Sequence, residues 1–190
     1  MPDPTTRLGA SHAALMAILR AEPDLRDGPG LTAVLEQLHQ RRSMDLSDLR
    51  PEEQASLIAA RCRQLLPSTD HLVDLLHSAS ADQRPLVVKF GIDPTATDVH
   101  IGHSVPMIIA SRFQRMGHRV VFIVGDITAK IGDPSGRTAD RPPLTDSDIA
   151  RNMKTYREQV TPFFDFDHAD FRYNSEWLAS ITLPQFMAVL

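Results

Sequence analysis

The sequence predicts an α/β fold, an open parallel sheet preceded by helices, on three observations. Two short runs, PLVVKFGI (Pro85–Ile92) and HRVVFIVGD (His118–Asp126), are almost continuously apolar, as buried strands of a parallel sheet are. Between them, VPMIIASRFQRM places Ile108, Ile109, Phe113 and Met116 at helical spacing, and Gly117 closes the helix. Strand, helix and strand form a βαβ unit whose strands are expected to be parallel neighbours joined by a right-handed crossover.

The stretch before the first strand reads as helices. Leu15, Ile18 and Leu19 recur on one face of a first helix that Pro23 stops. DGPG (Asp27–Gly30) is a breaker cluster, and a second helix follows with Leu31, Val34, Leu35 and Leu38 on one face. A third opens with Pro51 at its first position and Glu52 and Glu53 in its first turn. It turns Leu57, Ile58, Cys62, Leu65 and Leu66 inward and ends at Pro67; Asp70 caps a short fourth helix through Leu76. Lys89 alone interrupts the first strand, which is expected to be buried on both faces. Beyond the second strand, Thr145 caps a helix from Asp146 to Val160, DFRYN is a third strand, and SEWL opens a helical turn. TLPQFMAVL reads as the first turns of an amphipathic helix with Phe186, Val189 and Leu190 apolar, so the chain is expected to be truncated or to continue. The expected organisation is a helical extension over 1–48, helices leading inward over 49–82, and the N-terminal half of the sheet domain over 83–190, incomplete at its C-terminal end.

Composition narrows the function classes. The 190 residues are 42% hydrophobic and 23% charged, in the range of globular proteins, with a net charge of -4. That balance excludes a broadly basic nucleic-acid coat and leaves room for a local basic patch. The single cysteine, Cys62, has no partner for an internal disulfide, which favours a reducing, cytoplasmic setting, and it reads as a packing residue. No apolar run approaches the roughly 20 residues of a membrane span, so no membrane partner is expected. The apolar patch Ala13–Leu19 lacks a basic flank and does not read as a signal peptide.

Ligands of open parallel sheets bind at the carboxyl ends of the strands. The first strand leads into DPTATDVHIGH and the second into GDITAKIGDPSGR, so His100, His103, Asp93, Thr95, Asp126, Thr128, Lys130, Asp133, Ser135 and Arg137 converge on one crevice. Pro106 lacks an N–H, and the helix is therefore expected to begin within about three residues before it, with His103 near the N-cap and Gly102 just outside. Free N–H groups and the positive helix end make an anion site there. His100 and His103 add donors, and a flat ring can lie against the bare backbone of Gly102, an arrangement that suits adenine and a triphosphate. A His-x-x-His pair also suits zinc, but no third Cys or His lies nearby, and solvated surface histidines are the plainer alternative. Asp133 is either the anchor of a structural turn in GDPSGR or a carboxylate aimed at a substrate ammonium. Lys89 must snorkel or find a partner, and it is read as facing the crevice.

FGIDPTATDVHIGH with its HIGH signature intact, GDITAKIGDPSGR, RPPLT, NMKTYREQV and RYNSEWL resemble the class I aminoacyl-tRNA synthetases, specifically the bacterial-type tyrosyl group, from about Pro51 to Leu190. HxGH by itself is shared with other nucleotidyltransferases; DPTA-x-x-x-H-x-G-H followed by GDPSG is far more specific. The resemblance implies a Rossmann-like (HUP-type) nucleotide-binding domain and two reaction steps: tyrosine and ATP give tyrosyl-adenylate and pyrophosphate, and the ribose of tRNA(Tyr) then takes the acyl group. It implies that His100 and His103 stabilise the triphosphate with help from Thr95, that Gly102 accommodates adenine, and that Gly91 and Asp93 lie along the adenylate. Asp133 and Thr128 are implied for the substrate amino group. Lys89 stands at the position that meets the substrate phenol, where many members have tyrosine and one bacterial branch has lysine. Arg137 and Arg141 are read either as solvated loop charges or as contacts to phosphate or tRNA. Magnesium is implied as the companion of ATP, with no dedicated protein metal site, and a homodimer is implied for the complete enzyme.

The family's KMSKS-like loop, its distal tyrosine-gripping helix and its anticodon-binding domain are absent from these residues, and residues 1–48 match none of its motifs. Two further readings stay open: a non-catalytic module that binds ATP or adenylate or docks to a partner, and another HxGH nucleotidyltransferase.

Overall fold

The computed structural model describes residues 3–22, 26, 28–131, 144–162 and 164–188. They divide into two compact units, one of 1–86 with Arg112–His118 and one of Val87–Ser111 with 119–190.

In the first unit, helices α1 (Arg7–Arg20) and α2 (Gly28–Arg42) pack together, as do α3 (Pro51–Ala59) and α4 (Thr69–Ala81). Thr6 caps α1 by accepting the Gly9 N–H. Pro23 and Asp27, expected to stop the first helix and open the breaker cluster, lie outside the described residues. On α2 the expected leucine face is not buried: Leu31, Leu35 and Leu38 are exposed. The core gathers instead Leu46, Leu49, Ala55, Ile58, Leu76, Phe113 and Met116. Arg115 ties the carboxyl end of α2 to this core, its Nη1 donating to the Arg41 carbonyl at 2.9 Å while its own carbonyl accepts the Leu46 N–H at 2.8 Å.

Helix boundaries in this unit differ from expectation at the end of α3 and at both ends of α4, which runs on to Ala81 rather than Leu76, and Gly28–Gly30 of the expected breaker cluster belong to α2. α3 stops at Ala59 because its end tightens into i to i−3 bonds, Arg61 N–H to Ile58 and Cys62 N–H to Ala59. Cys62, Leu65 and Leu66 therefore lie beyond the helix, with Leu66 exposed. The cap of α4 is Ser68, whose Oγ accepts the His71 N–H at 3.1 Å, and Asp70 sits in the first turn, where a carboxylate favours the helix dipole.

The second unit holds the sheet. Strands β1 (Val87–Ile92), β2 (Arg119–Val124) and β3 (Asp170–Tyr173) pair in parallel in the order β1-β2-β3, with Phe90 opposite Phe122 and Phe122 opposite Phe171. Register partners in a sheet share a face. One face thus collects Phe90, Val120, Phe122, Val124 and Phe171, and Phe122 lies within 5.1–5.9 Å, centroid to centroid, of the rings of Phe90, Phe164, Phe166 and Phe171. β1 is not buried on both faces: it alternates, with Val87, Lys89 and Gly91 exposed and Val88, Phe90 and Ile92 half-buried. The reason is its place at the end of the strand order, with β2 as its one sheet neighbour among the described residues.

Helix α5 (Ile101–Arg115) connects β1 to β2, and its last turn counts with the first unit. Gly117, at φ +88, lets the chain turn out of α5, with the His118 N–H reaching back to the Phe113 carbonyl. After β2 come α6 (Thr128–Ile131) and α7 (Asp146–Val160); the latter buries Ile149, Asn152, Met153, Tyr156 and Val160. Thr145 caps α7 in a capping box with Asp148, whose carboxyl the Thr145 hydroxyl, the Thr145 N–H and Arg151 hold down to about 2. α8 (Ser175–Leu178) and α9 (Leu183–Met187) follow, while Val189 and Leu190 lie outside the described residues. Among the described residues no helix is long and apolar enough to cross a membrane.

Candidate functional site

β1 runs into the Asp93–Val99 loop and then into α5, and at that junction the two histidines stack. Their ring centroids are 3.8 Å apart with planes 20° from parallel. The stacking follows from where the helix begins. Pro106 lies inside α5, which starts at Ile101, a turn earlier than the proline predicts. His100 stands just before the helix and its Nδ1 accepts the Gly102 N–H at 3.1 Å, satisfying one donor that a helix start leaves open. The His103 N–H bonds the His100 carbonyl at 2.9 Å, which brings the second ring over the first.

Gly102 is needed for this geometry. A Cβ there would stand 2.9 Å from Cε1 and 3.0 Å from Nδ1 of His100, so the flat ring that lies against Gly102 in this structure is the imidazole of His100. His103 is half-buried; burial first, and then its neighbour His100, hold its imidazole below the usual histidine range, so it is neutral near pH 7.

Asp93 and Thr128, from the ends of β1 and β2, come together. The Thr128 hydroxyl donates to Asp93 Oδ1 at 2.7 Å. They meet across Gly125, where a Cβ would lie 1.7 Å from that Oδ1 and 2.4 Å from Thr128 Oγ1. Asn174, buried at the end of β3, completes the group. Its Nδ2 donates to Thr128 Oγ1 and its Oδ1 accepts the Ile127 N–H, both at 2.9 Å, so all three strand ends are joined through side chains. Asp126 lies alongside; burial alone would raise its carboxyl, but the bonds from Ser175 lower it below the usual range. Asn174 is a residue that the sequence reading passed over, although RYNSEWL contains it. An asparagine directly after a predicted strand, where the strand ends meet, was the available signal.

The other expected residues are placed as follows. Thr95 is half-buried in the loop, its N–H on the Asp93 carbonyl at 2.8 Å. Lys89 and Gly91 share the exposed face of β1, and among the described residues Lys89 makes no hydrogen bond or ion pair. Lys130 pairs with Asp146 at 2.5 Å. Asp133, Ser135, Arg137 and Arg141 lie outside the described residues. Among the described residues no three His, Cys, Asp or Glu side chains gather as metal ligands would.

What this constellation can do is bind an anion. The stacked imidazoles have their Nδ1 atoms engaged from the protein side, His100 by the Gly102 N–H and His103 by contact with the Tyr156 hydroxyl at 3.5 Å. Nε2 is then the position from which each ring can donate outward.

Comparison with known proteins places these features in a family. The model of the class I tRNA synthetases (W and Y) matches residues 81–190. The tyrosine–tRNA ligase of Trichormus variabilis is 49% identical over 110 residues, 56% of this chain and 28% of the relative. That of Synechococcus elongatus is 44% identical over 126 residues, 65% of this chain and 31% of the relative, and that of Xanthomonas euvesicatoria 41% over 131 residues, 69% and 31%. The chain thus spans 28–31% of the length of these relatives. In fold it is similar to a C-terminally truncated mitochondrial tyrosyl-tRNA synthetase of Coccidioides posadasii, at TM-score 0.53 and 24% identity over 84% of this chain and 45% of that one. The Aspergillus nidulans counterpart gives 0.54 and 19% over 80% and 46%. With the family model spanning its entire parallel sheet and the stacked HIGH histidines, the chain belongs to the class I tRNA synthetases of the tryptophanyl and tyrosyl kind.

Proposed function

We propose that this chain carries the ATP-binding side of a tyrosine–tRNA ligase, which joins tyrosine to ATP as tyrosyl-adenylate and passes the tyrosyl group to tRNA(Tyr). One observation carries the reading: two imidazoles stacked 3.8 Å apart at the start of α5, each with Nδ1 engaged by the protein. In the first step a tyrosine carboxylate oxygen attacks the α-phosphorus and pyrophosphate leaves. In the second a ribose hydroxyl of the tRNA takes the acyl group and AMP leaves. Protein side chains make no covalent bond in either step, so positioning and charge stabilisation account for the rate.

In this reading the Nε2–H groups of His100 and His103 donate to the triphosphate as negative charge moves towards the leaving pyrophosphate, and Thr95 assists. Gly91 and Asp93 lie along the adenylate, and Gly102 gives the His100 ring room to lie flat against the helix start. Thr128 donates a hydrogen bond to Asp93 and accepts one from Asn174, so its oxygen retains one lone pair for the tyrosine ammonium, with Asp133 as second partner. Lys89 is the group nearest in role to the phenol. Magnesium arrives with ATP; the described residues hold no ligand cluster of their own for it. Assembly as a homodimer and a cytoplasmic site of action belong to the same reading.

ATP titration and tyrosine-dependent ATP–pyrophosphate exchange on the purified chain test it. The wild-type chain is expected to bind ATP and His103→Ala to lose that binding. Exchange is expected to run several powers of ten below that of the longer relatives, each tenfold being about 1.4 kcal/mol of barrier. A folded chain that binds no ATP would overturn the reading. ATP binding with no exchange at all would favour the non-catalytic module.

A further inference from the structure

Helix α7 is marked in the sequence by its Thr145 cap, and NMKTYREQV is part of the family resemblance, with no role for the polar residues of that stretch. Asn152, Tyr156 and Gln159, at i, i+4 and i+7, lie along one helical stripe; Asn152 and Gln159 meet the segment between β1 and α5, and Tyr156 meets the first turn of α5. Asn152 Nδ2 donates to the Pro94 carbonyl at 2.8 Å, and both residues are buried. Gln159 makes two bonds to the middle of the segment: its Nε2 donates to the Thr97 carbonyl and its Oε1 accepts the Val99 N–H, both at 2.9 Å. Tyr156, only 1% exposed, brings its hydroxyl to 3.5 Å from His103 Nδ1, with ring centroids 5.7 Å apart.

We infer that α7 is the template of the histidine loop and the first turn of α5: Asn152 and Gln159 set the loop backbone, and Tyr156 donates its O–H to His103 Nδ1, so that the His103 proton sits on Nε2, from which it can be hydrogen-bonded to a ligand oxyanion. The three are positioning residues. The assignment of the ligand rests on the functional reading above; the template itself does not.

The chemistry selects this direction of the hydrogen bond. Burial raises the Tyr156 hydroxyl above its usual range and lowers His103, so both are uncharged near neutral pH. A neutral imidazole offers one donor and one acceptor, and the nitrogen that accepts decides where the proton resides. His100 is set the same way by the Gly102 N–H, which leaves two parallel donors on adjacent rings. Gln159 suits its place because its amide carries a donor and an acceptor side by side, one for the Thr97 carbonyl and one for the Val99 N–H.

Imidazole nitrogen NMR and amide hydrogen exchange on the intact chain test the template without any ligand. Wild-type His103 is expected as the Nε2–H tautomer. Tyr156→Phe, which keeps the buried ring, is expected to introduce the other tautomer and to raise the His103 titration midpoint. Gln159→Leu, at an exposed position, is expected to speed exchange of the Val99 amide by about tenfold, with Gln159→Glu, which keeps only the acceptor, leaving that amide protected. A merely structural role would change the unfolding midpoint and leave the tautomer alone. An Nδ1–H tautomer in the wild type, or His103 signals unmoved by Tyr156→Phe, would overturn the assignment of Tyr156; an unmoved Val99 amide in Gln159→Leu would overturn the clamp. An ATP titration in parallel, expected to weaken about tenfold in both Tyr156→Phe and Gln159→Leu, separates the two readings. If the wild type binds no ATP while the NMR results hold, the function fails and the template stands.

Discussion

Gly125 and Asp93 are closer than any larger residue pair could be: a Cβ on Gly125 would lie 1.7 Å from Asp93 Oδ1. The backbone at the end of β2 therefore passes directly against the carboxylate at the end of β1. Gly125→Ala must push Asp93 and Thr128 apart, at a cost of about 1–3 kcal/mol for overpacking. Gly91→Ala is the control, because its Cβ meets nothing nearer than 3.9 Å, and it is expected to be neutral or slightly stabilising. Urea unfolding midpoints of the two variants check this; equal midpoints would contradict it.

Gly102→Ala separates stability from binding. Its Cβ would displace only the His100 ring, the free end of a side chain, while alanine favours the helix by about 0.5–1 kcal/mol. The variant is expected to melt no lower than wild type and yet to lose ATP affinity. A variant that melts normally and binds ATP normally would show that the stacked rings are not the binding device.

His118 predicts how stability depends on pH. Its Nε2 donates to Gln54 Oε1 at 2.9 Å, since Gln54 Nε2 is committed to the Leu49 carbonyl at 2.8 Å, and its Nδ1 accepts the Leu86 N–H at 3.4 Å. Burial holds the ring below the histidine value of about 6.5 that the unfolded chain keeps. Between those two values the unfolded chain binds more protons, so this contribution is complete above about pH 6.5 and lost as pH falls through the lower folded value. His103, lowered by burial and by His100, adds to the slope in the same direction. Unfolding midpoints at about pH 8 and about pH 5.5 should therefore fall with acid. His118→Gln should be less stable at the higher pH and flatter in between. An unchanged slope would refute the assignment.

Asn174→Ala should destabilise by about 1–3 kcal/mol, because it leaves the half-buried Ile127 N–H without its acceptor. Asn174→Asp keeps that acceptor but loses the donor to Thr128, so it should recover part of the stability. Thermal melts of the two variants order them. If they are equally unstable, the bond to Ile127 is not the one that matters.

Much of the fold was legible because strong local signals agreed. α7 begins and ends at the residues its cap and periodicity indicate, and the third strand and the short helix after it lie where DFRYN and SEWL place them. Two boundaries departed from the local pattern. Leu65 and Leu66 continue a helical pattern beyond Ala59, but a chain end that tightens into i to i−3 bonds overrides periodicity. Pro106 misled for the converse reason: an imidazole cap before Ile101 holds the first turn well enough for the helix to contain a proline.

The sequence by itself determined the parallel βαβ frame and, through its motifs, the family. Apolar periodicity and turn residues act over a few positions, so they can be read from one segment at a time. Only the tertiary structure decided that Asn174 joins the strand ends, that His100 rather than an open space fills the surface of Gly102, and that Asn152, Tyr156 and Gln159 grip the histidine loop. Those contacts join residues 46 to 62 positions apart, apart from the Gly102 step of two. Hydrogen bonds of that kind are set by packing two elements in three dimensions, and no local pattern encodes the partner.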